Sequence, residues 1–260
     1  MSDREMSAEY RDQRVMFDIF SGIPPNEITG VRAAYLQTKG NDFMRRMQND
    51  EFTWDSSYAT DRINPATWPY TFDYLDTTGC AVRPCVTEPV PGMWEIPLVD
   101  WIDTNDTLCE NVDSCYFPND KAEALELLRT NFARHYETNR APFTLNLRAR
   151  WFLNDGYYNM EALQQFLDEI QQNPDVYLVT YSQAIAWVRN PVRLADIARS
   201  RVFACDYADR RPLCEAPNLC GYANITYAPN SEEHPGDRYF QTCGRCPPVY
   251  PWVNNPDGSA

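Results

Sequence analysis

Apolar residues along this chain keep helical spacing in some stretches and alternate or cluster like strands in others. The first run, 5–20, sets Tyr10, Phe17 and Phe20 among charges and predicts a helix, which Ile23-Pro24-Pro25-Asn26 breaks. A short strand over 28–33, a helix over 42–47 and a strand over 52–56 follow. This alternation points to a parallel α/β arrangement. From 61 to 119 the pattern gives way to a Pro- and Cys-rich excursion whose one apolar segment is Met93-Trp94-Glu95-Ile96-Pro97-Leu98-Val99. Loops of that length in compact proteins are functional or stapled.

Regularity returns at Asp120-Lys121-Ala122-Glu123, which reads as a capping box opening a helix over 120–138, with Leu125, Leu128, Phe132 and Tyr136 on one face. The segment 143–152 predicts a strand, because Leu145 and Leu147 alternate with Asn146 and Arg148. A second amphipathic helix carries Met160, Leu163, Leu167 and Ile170 and stops at Asn173-Pro174. Val176-Tyr177-Leu178-Val179 predicts a strand of the buried kind, followed by a helix through Trp187. There is no internal repeat. The expected division is an α/β part over 1–199 and a cysteine-rich tail over 200–260.

Cysteine changes the picture most. The nine are Cys80, Cys85, Cys109, Cys115, Cys205, Cys214, Cys220, Cys243 and Cys246. Their local clustering suits short disulfide loops in an oxidising compartment, with Cys80–Cys85 and Cys109–Cys115 as the obvious staples. Five in the tail allow at most two internal bridges there, so one thiol is expected to be left over. Asn105-Asp106-Thr107 and Asn224-Ile225-Thr226 are glycosylation sequons. The first 17 residues are charged and lack the apolar stretch of a signal peptide. That start and the odd cysteine count fit a chain from which an upstream segment is missing. No apolar run is long enough to span a membrane. A formal charge of −14 gives no reason to bind nucleic acid or anionic lipid.

Candidate chemistry is sparse. The two histidines, His135 and His234, are far apart in sequence, and neither has a second imidazole at i+3 or i+4, as a zinc enzyme would need. Cys243-Gly244-Arg245-Cys246 lacks a second CxxC and runs into Pro247-Pro248, so it reads as disulfide-forming. No GxSxG, GxGxxG or P-loop is present. Aromatics are plentiful, and Trp68-Pro69-Tyr70 and Tyr250-Pro251-Trp252, in Pro-rich segments, are the better sugar-platform candidates.

Several segments, in order, resemble the polysaccharide deacetylase (NodB homology) family, in particular arthropod chitin deacetylases. Val31-Arg32-Ala33-Ala34-Tyr35-Leu36 is similar to the family's Arg-x-Pro-aromatic motif, with Ala34 in place of proline. Trp54-Asp55-Ser56-Ser57 resembles the Asp-containing motif that follows, and Leu145-Asn146-Leu147-Arg148 stands where the family has Leu-x-Leu-His. Trp68-Pro69-Tyr70-Thr71, Pro91-Gly92-Met93-Trp94-Glu95-Ile96-Pro97-Leu98 and the tail from Cys243 to Trp252 resemble the arthropod branch.

The resemblance implies a partial, distorted (β/α) barrel with a cysteine-rich C-terminal tail, lacking the barrel's first strands. It implies chitin, or another N-acetylglucosamine polymer, as substrate or ligand, and a cuticle or gut-lining matrix as location. By resemblance Trp68, Tyr70 and Trp151 would contact sugar. Arg32 would orient a base carboxylate, and Asp55 would orient a general-acid histidine. The family's reaction hydrolyses an acetamide with a divalent metal of the zinc or cobalt type, held by one Asp and two His from motifs upstream of Arg32. Only 31 residues precede Arg32 here, and they contain neither an Asp-Asp pair nor a histidine. Arg148 replaces the catalytic histidine and cannot give up a proton. The expectation is a catalytically inert protein binding no metal, or a fragment of an active one. A cysteine-rich interaction module on an α/β scaffold is the alternative of a different class. Asp55 and Arg148 are expected to form an ion pair.

Overall fold

The computed structural model describes residues 3–75, 80–153, 157–204, 213–226 and 236–259. In chain order it begins with α1 (Asp3–Ser21), β1 (Gly30–Val31), α2 (Asn41–Asn49), β2 (Trp54–Asp55), β3 (Ala59–Thr60) and β4 (Tyr70–Thr71). Next come β5 (Trp94–Glu95), β6 (Leu98–Val99), β7 (Trp101–Ile102), β8 (Leu108–Cys109) and α3 (Lys121–Tyr136). It closes with α4 (Ala149–Phe152), α5 (Tyr158–Ile170), α6 (Tyr181–Arg189), β9 (Asn218–Ile225) and β10 (Gly236–Thr242). These elements form two compact units, one of Met1–Val31, Arg45–Thr53 and Cys205–Ala260, the other of Arg32–Met44 and Trp54–Ala204.

In the larger unit, β2 and β4 flank β5, parallel and antiparallel respectively, and set Asp55 opposite Glu95. β3 pairs with β6 in parallel, and β7 with β8 antiparallel. The Cys80–Cys85 and Cys109–Cys115 bridges staple the excursion as its spacing predicts. Every ladder here is two residues long, and no closed barrel is seen among the described residues.

The main core lies under α3. Asp120 caps that helix by accepting from the Glu123 amide, and Ala124, Leu125, Leu127 and Leu128 pack against Ala162, Phe166 and Ile170 of α5. The buried face of α5 is turned from the expected one: Leu163 and Leu167 lie at its margin, and Met160 is 47% exposed.

Two strand expectations fail. Over 143–147 the residues do alternate: Phe143 and Leu145 pack on the core, while Asn146 and Arg148 face a polar pocket. The segment has no ladder partner, and 149–152 turns into α4. Val176–Val179 likewise pairs with nothing and is exposed rather than buried, with Leu178 at 52%. Periodicity decides which side a residue faces, whereas a strand also needs a neighbour with free hydrogen-bonding groups.

The smaller unit joins the two ends of the chain. β9 and β10 form an antiparallel hairpin braced by Cys214–Cys243 and Cys220–Cys246, so the two cysteines of the CxxC go to different partners. Thr242 Oγ1 donates to the Phe20 carbonyl, and Phe240 meets Phe20 edge to face at 5.2 Å. Buried Asp12 accepts from the Asn254 amide at 2.8 Å. Tyr250 and Trp252 stack on one another, and Tyr250 packs on Tyr222, so these rings serve the fold first. Cys205, and with it the expected leftover thiol, lies outside the described residues, as does His234.

Candidate functional site

Four of the motif positions come together around Arg32. Its Nε donates to the Ser56 carbonyl at 2.7 Å, and one terminal nitrogen donates to Asn146 Oδ1 at 2.9 Å. The other reaches Ser56 Oγ at 3.0 Å and the Tyr181 hydroxyl at 3.1 Å. Tyr181 in turn donates to Asn146 Oδ1 at 2.9 Å and lies flat against Trp54, with ring centroids 5.8 Å apart. Local sequence explains the position of Tyr181: Thr180 and Gln183 form a full capping box, which fixes Tyr181 as the first residue of α6.

Beneath this cluster the Trp54-Asp55-Ser56-Ser57 stretch acts as a socket. Asp55 accepts from Ser57 Oγ at 2.7 Å and from the Ser57 amide at 2.9 Å. Ser57 Oγ accepts from the Ala33 amide at 2.8 Å, which ties down the loop carrying Arg32. Asp55 and Glu95 are wholly buried, and their parallel register turns one carboxyl toward the other. Two carboxylates cannot donate to each other, so one must keep a proton for the pair to hydrogen-bond. Burial raises Asp55 to about 6, against its serine donors, and raises Glu95 well above its usual value, with the Asp55 charge adding to the effect. Glu95 is thus the protonated partner.

The ion pair expected between Asp55 and Arg148 is not formed. Asp55 is sealed in the sheet with Glu95 and Ser57, whereas the Arg148 side chain is 72% exposed and places Nε 3.0 Å from Asp113 Oδ2. Asp113 sits inside the loop closed by Cys109–Cys115. Desolvation raises its pKa, and Arg148 opposes the shift. Arg32, Asn146, Arg148, Asp113 and Glu110 line one open polar pocket of about 680 Å³. Tyr35 stands at the same pocket, 95% exposed, and both it and Leu36 have left-handed φ (53° and 57°). Backbone strain of this sort at non-glycine residues costs about 1–3 kcal/mol each and gathers at binding and catalytic sites.

Other expected positions lie elsewhere. Trp151 is 1% exposed in the core under α3 and α5, because the α4 turn points it inward; it offers no face to a sugar. Trp68 donates from its indole to the Asn139 carbonyl and stacks on Trp187, and Tyr70 packs edge-on against Phe72. His135 is buried, and its Nδ1 is engaged with the Ala141 carbonyl; desolvation lowers its pKa. Asn105 and Asn224 are exposed. Among the described residues no three His, Cys, Asp or Glu side chains stand together as a ligand set. Asn146, Asp113, Tyr35 and Tyr181 are the site residues that sequence reasoning missed. Tyr35 and Asn146 stood inside quoted motifs without a role, and a carboxylate opposite Arg148 has no local signature.

No protein-family model matches the chain. Two known proteins do, and their names agree with the motif order. These matches support a chitin deacetylase-like protein of the polysaccharide deacetylase family. It is 34% identical over 255 residues to "Chitin deacetylase 8" of Bombyx mori, covering 96% of this chain and 64% of that protein. It is also 34% identical over 264 residues to "Chitin deacetylase 1" of the same species, covering 96% and 47%. The chain thus spans about two thirds and about half the length of these relatives. Four disulfides and insect relatives of this kind point to an extracellular protein. No helix among the described residues is long and apolar enough to cross a membrane.

Proposed function

We propose that the 260-residue chain is a non-catalytic chitin deacetylase-like protein that contacts N-acetylglucosamine polymer at the pocket around Arg32. The observation that supports this most is the replacement of reactive groups by static ones at that pocket. Arg32 spends its donors on Ser56, Asn146 and Tyr181, and Arg148 stands opposite Asp113 at the position of the family's histidine. Guanidinium keeps its proton at any working pH, so Arg148 cannot protonate a leaving amine. Binding needs less. The exposed Tyr35 ring offers a face for a pyranose, Glu110 offers an acceptor for hydroxyls or an acetamide N–H, and Asn146, whose Oδ1 is taken by Arg32 and Tyr181, offers its amide N–H as a donor.

A second reading, part of an active deacetylase, is favoured by the chain's spanning only 64% of one relative. Acetate release from chitin oligomers, with and without added zinc or cobalt, separates the two when run beside metal analysis and a chitin pull-down. The expected result is retention on chitin, no stoichiometric metal and no acetate above background. Metal-dependent turnover by the 260-residue protein would overturn the non-catalytic reading, and failure to bind chitin would overturn the ligand assignment.

A further inference from the structure

Three guanidinium groups of the smaller unit meet at one pocket. Arg4, Ala8 and Arg11 follow one another along α1 at spacings of four and three, so they share a face of that helix. That face, Arg46 of α2 and the turn carrying Asn254 enclose an open polar pocket of about 720 Å³. Ala8, buried between the two arginines of α1, is too small to fill the space between them. Asp12, the carboxylate among the lining residues, is 2% exposed and has no oxygen to spare. Its Oδ1 accepts from Nε and one terminal nitrogen of Arg11 at 3.2 and 3.1 Å, and its Oδ2 accepts from the Asn254 amide at 2.8 Å. Arg11 is thereby held in place, while its other terminal nitrogen takes no part in that pair. The Arg4 side chain is exposed and makes no hydrogen bond or ion pair among the described residues.

Three guanidiniums against one carboxylate leave the pocket with a surplus of two positive charges, in a chain whose formal charge is −14. Like charges gathered in this way repel one another, and an anion between them would turn that repulsion into attraction. Guanidinium is the side-chain group that meets the oxygens of sulfate and phosphate through paired, coplanar hydrogen bonds. We propose that this pocket binds a single sulfate or phosphate group, free or carried on one small sugar. The volume falls within the roughly 300–1,000 Å³ of small-ligand sites, so it has room for a body attached to the oxyanion. Overall charge sets the upper limit: the acidic remainder of the chain would repel a long polyanion, whereas a single anionic group feels chiefly the arginines around it.

The test uses the 260-residue protein, with sodium sulfate and N-acetylglucosamine 6-sulfate as probes, at an ionic strength held constant with sodium chloride. Titration calorimetry should show saturable binding of one sulfate group per chain. Arg4→Gln and Arg46→Gln should each weaken it at least fivefold, and Arg4→Glu should abolish it. Arg4→Gln removes no contact described for α1, so its fold serves as the reference should Arg46→Gln unfold. Arg199→Gln removes the same charge from a side chain 85% exposed on the larger unit and should change nothing. Tighter binding of the sugar sulfate than of the free ion would assign the sugar-borne group, and equal binding the free ion. The proposal fails if neither probe binds saturably. It also fails if Arg199→Gln weakens binding as much as Arg4→Gln, which would mean attraction to net charge alone. Chitin is not part of the readout, so the outcome is independent of the function proposed above.

Discussion

Replacing Arg32 with alanine withdraws donors from Ser56, Asn146 and Tyr181 together, and no nearby side chain can take its place. Because the arginine is itself exposed, the expected loss of stability is modest, about 1–3 kcal/mol by urea unfolding. Retention on chitin should fall at least tenfold, because the walls of the pocket lose their common anchor. Arg148→Ala should cost less, about 1 kcal/mol or below, because that side chain is 72% exposed. Arg148→His, assayed with added zinc, should release no acetate, because a proton donor alone supplies neither a nucleophile nor a base. The sequence made Arg32 and Arg148 legible through their motifs. It could not show that Asp55 turns inward to Glu95, because that depends on which strands become neighbours.

The β2–β5 ladder carries a consequence for pH. Asp55 and Glu95 both have folded pKa values above the usual 3.8 and 4.5, Asp55 at about 6 and Glu95 well above its own ordinary value. Their contribution to stability is therefore full below about pH 4 and is lost as pH rises through the folded values. Carboxylates held by cations or amides, such as Glu169, Asp175 and Asp103, act in the opposite sense and lose their contribution in acid. Thermal unfolding should therefore show maximal stability on the acid side of neutrality. Glu95→Gln, which keeps a neutral donor beside Asp55, should flatten the decline between pH 6 and 8. A wild-type melting temperature that rises steadily from pH 5 to 8 would contradict this. Among the elements, α1, α3, α5 and α6 were readable from spacing and caps, because a helix satisfies its own backbone. The 143–147 and 176–179 segments were misread because a strand depends on a partner elsewhere in the chain.

For the molecule as a whole, the two tail bridges close longer loops than the two staples of the excursion. Cys214–Cys243 and Cys220–Cys246 span 29 and 26 residues, against 5 and 6 for the others. Chain entropy assigns about 3–4 kcal/mol to each long loop and about 2 kcal/mol to each short one. Replacing Cys214 and Cys243 by serine should lower the melting temperature more than replacing Cys80 and Cys85, a comparison that calorimetry makes directly. The clustering of cysteines announced that bridges exist, and adjacency sufficed for the short pairs. The long pairs needed the register of β9 on β10, which no local pattern encodes.

The smaller unit brings Phe20 of the first helix against Phe240 and, across a sequence separation of 222 residues, against Thr242 of the last strand. During synthesis α1 emerges first, and these partners follow roughly 10–45 s later at ordinary rates of elongation. Throughout that interval Phe20 has no docking surface, and the helix is left to passing chaperones or to chance contacts. Secretion yield should thus be more sensitive to changes near residue 240 than local stability alone would suggest, since those residues end the wait.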